Sequence, residues 1–62
     1  MDRQQIESGI REIGPCTTGE LVRHLCGENA SPSEQSNIRI KLSRMHHSHS
    51  IDKSGDLWFE IP

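Results

Sequence analysis

The chain has 62 residues, of which 31% are hydrophobic, with a mean hydropathy of -0.70 and a formal net charge of -2 at pH 7. So short a chain forms one domain, residues 1–62, and buries only about 60% of its unfolded surface, which leaves little room for an enclosed active site. No nucleophile motif, paired-acid signature or Gly-rich phosphate loop is present, so we do not expect an enzyme.

The first predicted element is a helix over residues 3–13. Asp2 is placed to cap it, with Gln5 in the capping-box position. Gly14, followed by proline, is a typical helix end. Gly9 is expected to weaken the helix by about 1 kcal/mol relative to alanine. The buried face is indicated by three isoleucines at helical spacing: Ile6, Ile10 and Ile13.

A second helix is predicted over residues 18–26. Either Thr17, with Glu20 in the box position, or Thr18 is its cap. Gly27 is expected to end it. The apolar stripe of this helix consists of Leu21, Val22 and Leu25, with Cys26 beside them.

The third helix is predicted over residues 32–46. Ser31, a proline in the first helical position and Glu34 form a strong start signal. Residues 37–42 also alternate between polar and apolar and would suit a strand. The start signal and the helical spacing of the inward residues favour a helix, which places Ile40 on its outer face. The inward residues are Ile38, Leu42 and Met45.

The C-terminal residues predict a β-hairpin, with strands over residues 48–52 and 57–61. Residues 53–56 form the turn, in which Gly55 supplies a positive φ. In the second strand, one face holds Leu57, Phe59 and Ile61, and the other holds Trp58 and Glu60. Two positions are open for Trp58: packed under the first strand or on the first helix, or exposed as a contact for nucleic acid or protein.

The cysteines and the N-terminus favour a cytoplasmic protein. No apolar run approaches the roughly 20 residues that cross a bilayer, and residues 1–5 lack the features of a signal peptide. If residues 18–26 are helical, this stretch alone separates the two cysteines by roughly 12 Å. A disulfide needs Cα atoms within about 7 Å of each other. Cys16 and Cys26 are therefore expected to be reduced, with Cys26 as a small core residue.

The order of these elements, together with one motif, resembles the winged helix-turn-helix family of DNA-binding domains, of the small prokaryotic or phage type. Residues 17–25 match the pattern T-x-x-E-L-x-x-x-L of its second helix. The third helix, ending in residues 41–45, and the hairpin, residues 51–59, continue the resemblance over essentially the whole chain. It implies an α+β fold of three helices and a C-terminal hairpin wing, with the third helix in a DNA major groove and the wing on the backbone.

The charge distribution supports a nucleic-acid surface on the third helix. Residues 35–51 contain no acid, although arginine, lysine and histidine occur there repeatedly. Arg side chains can bridge guanine, Gln or Asn can pair with adenine, and an exposed Ile can meet a thymine methyl. Lysine and serine are expected to contact phosphates. The candidate DNA-binding residues are Gln35, Ser36, Asn37, Arg39, Ile40, Lys41, Ser43, Arg44, His47, Lys53 and Ser54.

With so few cations we expect weak binding by a monomer, so that a homodimer or a partner would supply specificity. The leading hypothesis is a small cytoplasmic DNA-binding regulator. The alternative is a winged-helix protein-interaction module, which would bind its partner through an apolar patch of Ile40 and Trp58.

The histidines raise the question of a metal site. Structural zinc sites use ligand pairs at close spacing, whereas the two cysteines are far apart and three histidines occur together: His46, His47 and His49. An exposed polar link is the expected state of this segment. His24 is expected to be a partly buried packing residue, and neither a metal nor a cofactor is predicted.

Overall fold

The computed structural model describes residues 2–61, which form three helices followed by a two-stranded antiparallel hairpin. The elements are α1 (Arg3–Ile13), α2 (Thr18–Cys26), α3 (Pro32–His47), β1 (Ile51–Ser54) and β2 (Leu57–Glu60). The predicted α+β arrangement, a three-helix winged helix-turn-helix with a C-terminal hairpin, is confirmed. We refer to residues 51–60 as the wing. Within residues 2–61, no helix combines the length and apolar character needed to cross a bilayer.

Each helix begins where its capping residues predict. The Asp2 carboxylate accepts the Gln5 backbone N–H at 3.0 Å, and the Gln5 side chain accepts the Asp2 N–H at 3.0 Å. Thr17 and Glu20 make the same reciprocal pair at α2, so Thr17 and not Thr18 is the cap. At α3 the Ser31 hydroxyl accepts the N–H of the third helical residue at 3.2 Å. Because the α3 hydrogen bonds continue without a break, the strand alternative for this segment is excluded.

Among residues 2–61, ten side chains from all five elements and one connecting segment form the core: Ile6, Ile10, Cys16, Leu21, Val22, Ile38, Leu42, Met45, Ile51 and Trp58. No charged or polar residue is buried among residues 2–61. The core therefore rests on apolar burial, which is limited in so small a domain.

Helices α1 and α2 approach closely at Gly9. A Cβ atom there would lie 2.9 Å from Cδ2 of Leu25 and 3.0 Å from Cδ1 of Leu21. The sequence indicated only that glycine weakens the helix, whereas the structure shows that it allows two helices to pack together.

Two predicted core positions are wrong. Ile13 was expected on the buried face of α1 but is 38% exposed, because it lies in the last turn, where α1 leaves the core. Cys26 is half-buried and packs against the core, whereas Cys16 is 1% exposed and belongs to the core itself. Both thiols are free, as predicted.

The first strand begins at Ile51 instead of residue 48, because residues 48–50 close the end of α3. The Ser48 N–H donates to the Arg44 carbonyl at 3.0 Å, and the Ser50 N–H donates to the Met45 carbonyl at 2.9 Å. Between them, His49 has a φ of 64°. The second strand ends at residue 60, and the turn is shorter than predicted, with Ser54 pairing with Leu57.

Trp58 faces the core, so of the two positions left open the packed one is correct. Its backbone N–H donates to the Cys16 carbonyl at 2.7 Å, and its carbonyl accepts the Cys16 N–H at 3.0 Å. Its indole N–H donates to the Thr18 hydroxyl at 2.9 Å. Because Trp58 is only 7% exposed, the expected apolar patch of Ile40 with Trp58 does not form.

Candidate nucleic-acid interface

The outward side of α3 carries a strip of side chains opposite its buried stripe. We call Ser36, Ile40, Ser43 and His47 the outer strip; all four are exposed. Ile40 is 52% exposed, as its position in the helical pattern predicts. All the other candidate DNA-binding residues are also exposed, except Lys41, which is half-buried. Whether any of them contacts DNA stays a prediction.

On one side of the outer strip, α3 faces α2 and the turn that follows it. Gln35 and Arg39 line a cleft of about 190 Å³, whose other walls include Gly19, Arg23 and Glu28 of the α2 region. We call this side the Arg39 flank. The Gln35 amide donates to the carbonyl of the residue preceding Ser31 at 3.1 Å, so this side chain is partly engaged within the protein. Arg23 adds a second cation to this flank.

On the other side of the outer strip, α3 faces the beginning of α1. Lys41 and Arg44 line a cleft of about 300 Å³ together with Arg3 and Ser48. We call this side the Arg44 flank. At about 100° per residue, Arg44 lies about 140° from Arg39 around the helix, with the outer strip between them. The cations of α3 therefore lie on two sides of the helix instead of on one face.

The wing is attached near the Arg39 flank. The His46 ring meets the Trp58 ring edge-on, with 5.7 Å between the centroids. His46 Nε2 lies 3.7 Å from Oδ1 of Asp52. The Lys53 ammonium lies over the Trp58 ring, 4.8 Å from its centroid, in a cation–π contact. Because His46 is about 20° from Arg39 around α3, these contacts place the wing beside the same flank.

The cations of α1 and those of α3 differ in their partners. Arg3 pairs with Glu7 at 3.2 Å, and Arg11 pairs with Glu60 at 2.9 Å. The hydrogen bond from Arg11 lowers the pKa of the Glu60 carboxyl below its ordinary value. In contrast, the three α3 cations have no ion pair with any acid of residues 2–61; they are Arg39, Lys41 and Arg44. Their charges are therefore not neutralised by an ion pair within the described chain.

Within the described part of the chain, no group of three or more His, Cys, Asp or Glu residues is arranged to hold a metal ion. The His24 side chain is 33% exposed, in agreement with the expected partly buried position, and its Nε2 lies 2.8 Å from Oε2 of Glu12. Burial raises the pKa of the Cys16 thiol, which therefore stays protonated in the core at neutral pH.

Two residues of this surface were not among the sequence candidates. Arg23 joins the Arg39 flank from α2, and Arg3 joins the Arg44 flank from α1. The Arg3 guanidinium also donates to the Ser50 hydroxyl, which holds it beside the end of α3. The sequence contains no local signal for either position, since both depend on how the helices pack.

The fold and this surface together define a small three-helix winged domain with a cation-flanked third helix. The chain matches no family model, and searches of curated proteins and of solved structures found no match either.

Proposed function

We propose that this protein is a DNA-binding regulator that inserts α3 into the major groove of double-stranded DNA and places the wing on the sugar-phosphate backbone. The observation that supports this proposal is the pair of cationic flanks on either side of the outer strip. A helix with its side chains is about 10–12 Å wide, which matches a major groove about 12 Å wide. The two flanks would then face the phosphates of opposite strands.

The charges set the expected strength of binding. Five lysines and arginines have no ion pair with an acid of residues 2–61 and are available for phosphate contacts: Arg23, Arg39, Lys41, Arg44 and Lys53. Each neutralised phosphate contributes about -0.9 to the slope of log K against log salt concentration. With five contacts the slope is about -4.5 at its steepest. Glu28 lies in the Arg39 flank and opposes binding there. One domain would therefore bind weakly, and a dimer on two half-sites would supply specificity.

Fluorescence anisotropy with a labelled random-sequence duplex, measured at several salt concentrations, tests the proposal. Arg39→Ala and Arg44→Ala should each weaken binding and reduce the magnitude of the salt slope by about 0.9. Arg11→Ala is the control with the same change in charge, because Arg11 is an exposed arginine of α1 that pairs with Glu60 and lines neither flank. Its binding and slope should equal those of the parent protein.

Three outcomes are distinct in this experiment. No binding by the parent protein at low salt would remove the DNA proposal. Binding that is unchanged by both α3 substitutions would place the DNA on another surface. An equal loss in Arg11→Ala would mean that only total charge matters.

A protein-interaction module is the second candidate, favoured by the exposure of Ile40 and by the net charge of -2. It loses the support of Trp58, which is buried. We also propose a cytoplasmic location, since free cysteines such as Cys16 and Cys26 suit a reducing compartment.

A further inference from the structure

We propose that Ile40 recognises the C5 methyl group of thymine, so that the outer strip favours A·T-rich DNA; this inference rests on the proposed DNA binding. In the major groove, thymine is the base that presents a methyl group, while the other base edges present hydrogen-bonding groups. An apolar side chain at the floor of the groove can contact that methyl, while cations near the walls of the groove contact the phosphates.

The exposed surface of α3 has this arrangement. Ile40 is 52% exposed, and the other large exposed hydrophobic residues of the described chain lie outside α3. Its neighbours Ser36 and Ser43 have short side chains, so the isoleucine extends further from the helix than they do. Arg39 and Arg44 lie on opposite sides of it, about 100° and 40° away around the helix.

The size of the apolar surface also favours a methyl group over a protein partner. Apolar patches that bind proteins commonly cover several hundred Å². Ile40 is the one large apolar side chain on the outer strip, and Trp58 is buried and does not extend this apolar surface. A single isoleucine with unpaired cations on both sides is complementary to a thymine methyl group that lies in the groove between the two sugar-phosphate backbones.

Two synthetic polymers test this inference without knowledge of a binding site. Alternating poly(dA-dT) and poly(dA-dU) differ only in the C5 methyl group, which every A·T pair of the first polymer carries. The protein should bind poly(dA-dT) about fourfold more tightly, the change that burial of one methyl group corresponds to. Ile40→Ala should bind both polymers equally, with its affinity for poly(dA-dU) close to that of the parent protein.

Ile61→Ala is the matched control, because Ile61 is 41% exposed but lies beyond the wing. This variant should keep the fourfold preference. Equal binding of both polymers by the parent protein would overturn the role of Ile40 while leaving DNA binding intact. A preference that persists in Ile40→Ala would overturn it as well, since the methyl would then act elsewhere. Binding to neither polymer would overturn the inference together with the proposed function.

Discussion

Replacing Trp58 by phenylalanine tests whether this side chain attaches the wing to the helices. The substitution removes the indole N–H that donates to the Thr18 hydroxyl, a hydrogen bond of 2.9 Å that contributes about 1 kcal/mol. It also weakens the contact of the Lys53 ammonium with the ring, which contributes about 0.5 kcal/mol at an exposed site. With the smaller ring included, we expect a loss of about 2 kcal/mol in the free energy of unfolding.

That loss is large for this protein. At roughly 0.05–0.15 kcal/mol per residue, a domain of this size has a total free energy of unfolding of about 3–9 kcal/mol. A change of 1 kcal/mol shifts Tm by about 4–8 °C in such domains, so Trp58→Phe should lower Tm by about 8–16 °C. Circular dichroism at 222 nm measures the transition, since the substitution removes the tryptophan fluorescence.

A double-mutant cycle with Thr18→Val isolates the hydrogen bond. If the bond fastens β2 to the start of α2, the coupling between Trp58 and Thr18 should be about 1 kcal/mol. Leu57→Ala, on the exposed face of the same strand, is the control and should change Tm little. A coupling near zero, with Trp58→Phe as stable as the parent, would refute the reasoning that this contact holds the wing in place.

Two further predictions concern the thiols and the pH dependence of stability. In the folded protein, iodoacetamide should alkylate Cys26 before Cys16, because Cys16 is 1% exposed whereas Cys26 is only half-buried. Burial raises the pKa of both thiols, so their exposure sets the order of labelling. Peptide mass mapping would measure this, and faster labelling of Cys16 would contradict it. Arg11 lowers the pKa of Glu60 in the folded state. The Glu60 carboxylate therefore stabilises the fold at pH values above its unfolded pKa of about 4.3. This stabilisation is lost as the pH falls through the pKa that Glu60 has in the folded state. Glu60→Gln should therefore lose less stability than the parent protein on acidification in urea titrations, and identical acid profiles would contradict this.

Much of the helical structure follows from the sequence alone, because helix ends depend on residues close together in the chain. Asp2 with Gln5, and Thr17 with Glu20, identified the starts of α1 and α2, and each pair interacts over three positions. The outer strip, including Ile40, follows from helical periodicity in the same way. The alternation of β2 likewise separated Trp58 from its neighbours into two faces.

Only the tertiary structure decided which of those faces is buried and which cations lie together. Alternation does not distinguish the two sides of a hairpin, and Trp58 turns inward because Cys16 and Thr18, distant in the chain, supply its hydrogen bonds. In the same way, Arg3 and Arg23 join the two flanks of α3 through helix packing. Local hydrogen bonds determine where an element begins and ends, whereas the burial of apolar surface between distant segments determines which side of it remains exposed.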